Sequence, residues 1–120
     1  MKLQIARFDP HPGALPVQMA DSDGTAMPLV KLNEFGADLI RFAPGKRVGL
    51  HTHQGDHILV VVSGTGVLTF RGERHALYAG VVYLVPGSVP HAIDAETELS
   101  IIAVGNDHRD AGAEDRLEVV

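Results

Sequence analysis

The 120-residue chain contains no cysteine, which excludes disulfides, thiolate-bound zinc, iron–sulfur clusters and thiol nucleophiles together. Basic residues are few: 10 Lys and Arg against 15 Asp and Glu leave a net charge of −5, which argues against an extended nucleic-acid footprint. No apolar run approaches the ~20 residues of a membrane span, and residues 1–7 lack the uninterrupted apolar core of a signal peptide. Charged residues make up only 21% of the chain against 45% hydrophobic, an ordinary balance for a globular protein and the wrong one for disorder. A chain of this length buries roughly two-thirds of its unfolded surface around one core. The expectation is a single-domain, cytoplasmic protein with a small-molecule substrate or a protein partner, and neither nucleic acid nor membrane.

Long helical periods are also missing. Thirteen glycines and seven prolines punctuate the chain, and no alternation of strand and helix of the doubly wound nucleotide-binding kind appears. Residues 11–16 and 21–25 read as turns or an extended arm, with a one-turn helix left open. From residue 34 the pattern becomes a series of short strands at 34–42, 47–53, 57–62, 67–71, 75–78, 81–85, 91–94 and 99–104. Pro44-Gly45, Ser63-Gly64-Thr65-Gly66, Gly72-Glu73, Ala79-Gly80 and the Pro86 to Pro90 stretch supply the turns between them. Strands repeating every ~8–12 residues between such signals predict an all-β sandwich or barrel. After Gly105 a polar loop or tail follows, with Leu117, Val119 and Val120 packing back. The division expected is an N-terminal arm over 1–30, a barrel over 31–105 and a tail over 106–120.

Seven histidines are unevenly placed, with His51, His53 and His57 inside seven consecutive positions. On a strand, His51 and His53 point the same way with Cα atoms ~6.6 Å apart, close enough for both rings to meet one cation at ~2.0–2.1 Å. His57 follows the turn Gln54-Gly55-Asp56, which can return it across the same pocket. Burying several imidazoles on one face without a partner would cost ~1–3 kcal/mol for each unsatisfied nitrogen. Metal ligation is therefore the reading for His51 and His53. His75 reads as a surface polar residue, and His11 and His108 as loop residues.

Two motifs carry a family resemblance. Gly45, His51, His53, His57 and Gly64 are spaced like the cupin pattern G-x5-H-x-H-x3–4-E-x6-G, and Gly80, Pro86 and His91 like its second pattern, G-x5-P-x-G-x2-H-x3-N. The chain departs from the family at His57, where glutamate is usual, at Ser88, where glycine is usual, and at Ala95, where asparagine is usual. The resemblance implies a double-stranded β-helix, or jelly-roll barrel, with His51, His53 and His91 as ligands and His57 in the fourth ligand's place. It also implies a homodimer, with N-terminal strands exchanged between partners.

Four neutral imidazoles leave a divalent ion its full charge, which favours anionic or enolate-like ligands and raises the potential of a redox metal. Mn or Fe are the expected ions, with Zn, Ni and Cu as alternatives that ligand softness alone does not separate. No paired carboxylates and no nucleophile elbow are evident, so serine-type hydrolysis is disfavoured. Gly64-Thr65-Gly66 precedes no helix and is not a phosphate cradle. Arg41, Tyr83 and Gln54 are candidates for the cavity wall, while Glu34, Asp38 and Asp94 cannot be placed by spacing. The expected function is a metal-dependent oxidoreductase of dioxygenase type acting on a small organic substrate. The alternatives are a redox-neutral isomerase or lyase, a non-catalytic module that binds a small ligand, and a metal-stabilised structural domain.

Overall fold

The computed structural model describes residues 2–10, 13–106 and 117–120. Among them every regular element is a strand: β1 (Val17–Gln18), β2 (Thr25–Leu32), β3 (Phe35–Phe42), β4 (Arg47–Thr52), β5 (Asp56–Ser63), β6 (Thr65–Phe70), β7 (Glu73–Tyr78), β8 (Val82–Pro86), β9 (His91–Ala95), β10 (Leu99–Gly105) and β11 (Glu118–Val119). They form two antiparallel sheets, ordered β1-β2-β3-β10-β5-β8 and β11-β4-β9-β6-β7.

The topology is that of a long two-stranded ribbon folded over on itself. Strand β6 pairs with β7, β5 with β8, β4 with β9 and β3 with β10, so the chain runs out along one half and back along the other. Contacts of β10 with β5 and of β9 with β6 then close the two sheets as a jelly roll. Period-two alternation sends Leu59 and Val61 of β5, Leu68 of β6, and Leu99, Ile101 and Ala103 of β10 into one shared core with Phe42, Leu77 and Val85. The fold is thus the expected all-β jelly roll.

Two turn readings are corrected. The hairpin between β6 and β7 turns on Arg71 and Gly72, with φ of 52° and 76°, and Glu73 is already paired with Phe70. Positive φ at both central residues is the type I′ geometry that suits the twist of adjoining strands. The Ser63 to Gly66 stretch does not make a hairpin. Gly64 passes the chain from one sheet to the other at φ 88°, and a Cβ there would lie 1.9 Å from the Glu98 carbonyl oxygen. Only glycine allows the backbones to approach so closely at that corner.

Beyond the expected strands, β2 pairs with β3 along its length, with a register shift between Pro28 and Val30. Strand β3 is buried on both faces: Ile40 and Phe42 join the core, while Arg41 lies outside it, donating to Ser100 Oγ at 3.1 Å and to the carbonyls of Asp9 and Gly13. The guanidinium thereby fastens the N-terminal segment to the outer face of the larger sheet. At the other end, β11 adds to β4 opposite His51 and Thr52, and Leu117 enters the core. Among the described residues no helix is long and apolar enough to cross a membrane.

Candidate metal centre

His51 and His91 face each other across the β4–β9 ladder. The register between these strands shifts between Val48 and His51, and this irregularity aims both imidazoles into the barrel. They are 5% and 3% exposed, with ring centroids 4.3 Å apart. Each ring is oriented by the backbone two residues before it: His51 Nδ1–H donates to the Gly49 carbonyl at 2.7 Å, and His91 Nδ1–H to the Val89 carbonyl at 2.8 Å. A carbonyl only accepts, so both protons sit on Nδ1 and both Nε2 atoms present lone pairs to the interior.

His53 lies just beyond β4 and is placed by a tightly locked loop. Its backbone N–H donates to the Gly87 carbonyl at 2.9 Å, and its Nδ1 meets the Gln54 carbonyl at 3.2 Å. The Asp56 carboxylate accepts from Gly87 N–H at 3.1 Å, while Asp56 N–H donates to Asn106 Oδ1 at 2.8 Å. A Cβ on Gly87 would lie 2.0 Å from the Gly55 carbonyl oxygen and 2.4 Å from His53 Nδ1. The turn after β8 thus has no room for a side chain where it supports His53.

With these three rings in place, one ligand nitrogen from each of His51, His53 and His91 falls within 4.8 Å of the others. His53 Nε2 and His91 Nε2 are 3.2 Å apart. When both rings carry their proton on Nδ1, these are two lone pairs, which repel at that separation unless a cation lies between them. Two nitrogens each bound at ~2.0–2.1 Å to one ion stand roughly 3.0–3.4 Å apart, so the spacing suits a shared metal. Burial is the main influence on His91, and with a smaller contribution from the neighbouring rings it lowers its pKa from 6.5 to about 4 despite the Val89 hydrogen bond. At neutral pH that nitrogen is therefore free of a proton, as a ligand must be.

His57, the expected fourth ligand, is beside this group but outside it. Its ring centroid is 4.4 Å from that of His53, and it lines the same cavity of about 50 Å³. The rest of the wall is apolar, formed largely by Met19, Ile40, Phe42, Leu59, Ile93 and Leu117. There is room for an ion with a small ligand or waters next to it. Arg41, Tyr83 and Gln54 do not line the cavity. Arg41 is on the outer face, the Tyr83 hydroxyl donates to the Ala76 carbonyl at 3.0 Å, and Gln54 contributes its carbonyl to His53.

Asp94 pairs with Arg47 at 3.0 Å, Glu34 is exposed, and Asp38 is buried. His75 sits at the surface 3.7 Å from Glu73, and His11 and His108 lie outside the described residues. Sequence reading missed Met19 and Leu117 as wall residues, and the Gly49 and Val89 carbonyls as the groups that orient the rings. Only the i−2 spacing of those carbonyls from their histidines could have pointed to them.

Two outcomes follow from this geometry. His91 is neutral in the folded protein down to about pH 4, whereas in the unfolded chain it takes up a proton below 6.5. The unfolded state therefore binds more protons in that window, and stability present above pH 6.5 is lost as pH falls toward 4, by roughly 3 kcal/mol. Denaturant titrations of metal-free His91→Gln and the parent chain at pH 7 and 5 measure this, the variant lacking that component of the pH dependence. Gly87→Ala should displace His53 and weaken metal binding at least about 10-fold while the far-ultraviolet β signature persists, as read by metal titration and circular dichroism.

Comparison with known proteins agrees with the architecture. The chain is 30% identical over 60 residues to dimethylsulfoniopropionate lyase DddW of Ruegeria pomeroyi, a match covering 50% of this chain and 40% of the lyase. Among solved structures, KdgF from Halomonas sp. superposes with a TM-score of 0.68 at 23% identity, over 73% of this chain and 82% of that one. A conserved Streptococcus pyogenes protein of unknown function gives 0.66 at 20% identity, over 90% and 98%. Salicylate 1,2-dioxygenase from Pseudaminobacter salicylatoxidans gives 0.68 at 21%, over 76% of this chain and 28% of the enzyme. A family model described as a cupin domain matches residues 38–105, which span both histidine motifs and most of the two sheets, and the chain belongs to the cupin family.

Proposed function

We propose that this cupin is a metal-dependent enzyme acting on a small anionic organic substrate, with His51, His53 and His91 holding one divalent transition metal through Nε2. The single observation that carries this reading is the convergence of three nitrogens within 4.8 Å, with Nδ1 of both His51 and His91 held by carbonyls. Three neutral ligands leave the ion its full charge and open positions for substrate oxygen. The ion, when bound, supplies Lewis-acid polarisation or, if it is Mn or Fe, chemistry with dioxygen. Met19, Phe42 and Leu117 exclude water from the reacting atoms, and the narrow cavity fixes substrate orientation.

Between the two reaction classes, the geometry favours redox-neutral proton transfer, in a lyase or isomerase. His57 stands in the cavity outside the three-histidine group, where it can accept a proton from a substrate bound beside the ion. The partial relationship to a lyase supports the same class. The dioxygenase reading keeps the support of the open ligand positions.

Metal analysis of protein purified without added metal should find one ion per chain. His51→Gln or His91→Gln should weaken its binding by more than about 100-fold. Turnover of small carboxylates without oxygen uptake supports proton transfer, and uptake in step with turnover supports the dioxygenase. Tightly held zinc with no exchangeable water and no turnover would leave a structural ion and overturn catalysis.

We also propose a homodimer. Ile58, Val82 and Leu84 alternate with the inward Leu59 and Val85, and Ile58 sits opposite Leu84, so they form an exposed apolar strip on the larger sheet with Leu84 71% exposed. The mass in solution should be twice the 12.8 kDa of the chain, and Leu84→Glu should reduce it to that of a monomer in light-scattering measurements.

A further inference from the structure

Most of the cavity wall stands on strands that are paired on both sides. Strands β3, β4, β5 and β9 carry Ile40, Phe42, Val48, Leu59 and Ile93, and each has a neighbour on either hand. Leu117 has a different origin. It precedes β11, a two-residue strand at the edge of the smaller sheet that pairs with β4 alone. Met19 also stands beside an edge strand, β1, but it is packed against Phe42. A Cβ added at Gly24 would lie 3.1 Å from Met19 Sδ and 2.7 Å from Phe42 Cε1.

The register of β11 fixes what Leu117 faces. Glu118 is opposite Thr52 and Val119 opposite His51, and Val120 N–H continues the ladder to the Leu50 carbonyl at 2.9 Å. One step in the other direction brings Leu117 level with His53. Opposed residues of an antiparallel ladder share a face, and alternation gives Leu117 the face of Val119 and His51. Burial agrees: Leu117 is 6% exposed and part of the core, whereas Glu118, Val119 and Val120 are exposed. Its side chain therefore enters the cavity beside the His53 ring. Of the three clustered histidines His53 is the least buried, so this is the side of the centre nearest solvent.

We infer that Leu117 sets the length of carbon chain the site accepts, confining it to short-chain aliphatic carboxylates. The cavity of about 50 Å³ leaves no space for a long chain beside an ion, and Leu117 closes it where His53 approaches solvent. Fitting or excluding one methylene in an apolar pocket discriminates by ~10–200-fold. The choice of a carboxylate rests on the metal reading proposed above, while the limit on length rests on register and burial.

Cobalt-loaded full-length protein, titrated with acetate, butanoate and hexanoate and read by its visible bands, gives the affinity for each acid. The parent chain should prefer acetate to hexanoate by at least about 10-fold. Leu117→Ala, which removes Cγ and both Cδ atoms, should lower that ratio by at least about 10-fold. Leu117→Val should give an intermediate ratio, and it decides the matter if the alanine variant does not fold. A parent that binds hexanoate as well as acetate, or a ratio unmoved in the folded variants, overturns the inference. An equal fall in Ile93→Ala, elsewhere in the wall, would make the limit a property of core packing and overturn it too.

Metal-free protein labelled with nitrogen-15 at histidine separates this inference from the metal reading. Hexanol should shift the His53 ring signals of Leu117→Ala and leave those of the parent in place. Equal shifts in parent and variant, or none in either, overturn the limit on chain length. Failure of the parent to bind cobalt would sink the metal reading and leave hexanol to decide the role of Leu117.

Discussion

The site depends on where three imidazoles keep their protons. A histidine that donates from Nδ1 to a carbonyl has only a lone pair to offer at Nε2, and this is the condition of His51 and His91 inside the barrel. Bringing such nitrogens together without a cation is repulsive, and burial makes protonation of His91 an expensive remedy, as its pKa of about 4 records. The strands must therefore be held together by their own packing strongly enough to impose the convergence. The folded-over ribbon does so by placing His51 and His91 in one ladder and tying His53 to the turn that precedes β9.

Much of this was legible in the sequence because it follows from alternation and short-range spacing. His51 and His53 share a face at i and i+2, and the turn before His91 is marked by Pro86, Gly87 and Pro90. Most limits of the eight strands from β3 to β10 are marked by Gly or Pro, the connection Glu96-Thr97-Glu98 between β9 and β10 excepted, which explains why they were readable to within a residue or two. What was not legible depends on partners distant in sequence. Strand β11 is too short to announce itself, and its place beside β4 depends on pairing Glu118 with Thr52. Strand β2 hides behind Pro28, a residue that normally argues against a strand. It is tolerated here because β1 covers only Thr25 and Ala26, which leaves Pro28 at an edge beside a register shift.

The wall residues show the same limit. Arg41 alternates correctly with Ile40 and Phe42, but period two does not say which of its two faces is the core. Only the register with Ser100, and the N-terminal carbonyls that cover the guanidinium, put it outside. Likewise, whether a turn reverses the chain within one sheet or transfers it to the other is a matter of tertiary pairing. Ser63-Gly64 and Arg71-Gly72 have similar local signals and opposite topological roles.

For the anionic substrate proposed above, attraction would be local rather than global. A net charge of −5 disfavours long-range attraction of anions, and salt screens what field remains beyond ~10 Å. Within the cavity the balance reverses. A divalent ion on three uncharged ligands keeps its charge, and the apolar side chains of Met19, Ile40, Phe42, Leu59, Ile93 and Leu117 lower the dielectric through which a substrate would feel it. A carboxylate in the place of His57 would offset part of that charge. With an ion held as proposed, a neutral histidine there would leave the interior cationic around it, and the acidic surface would then matter little for a ligand small enough to enter.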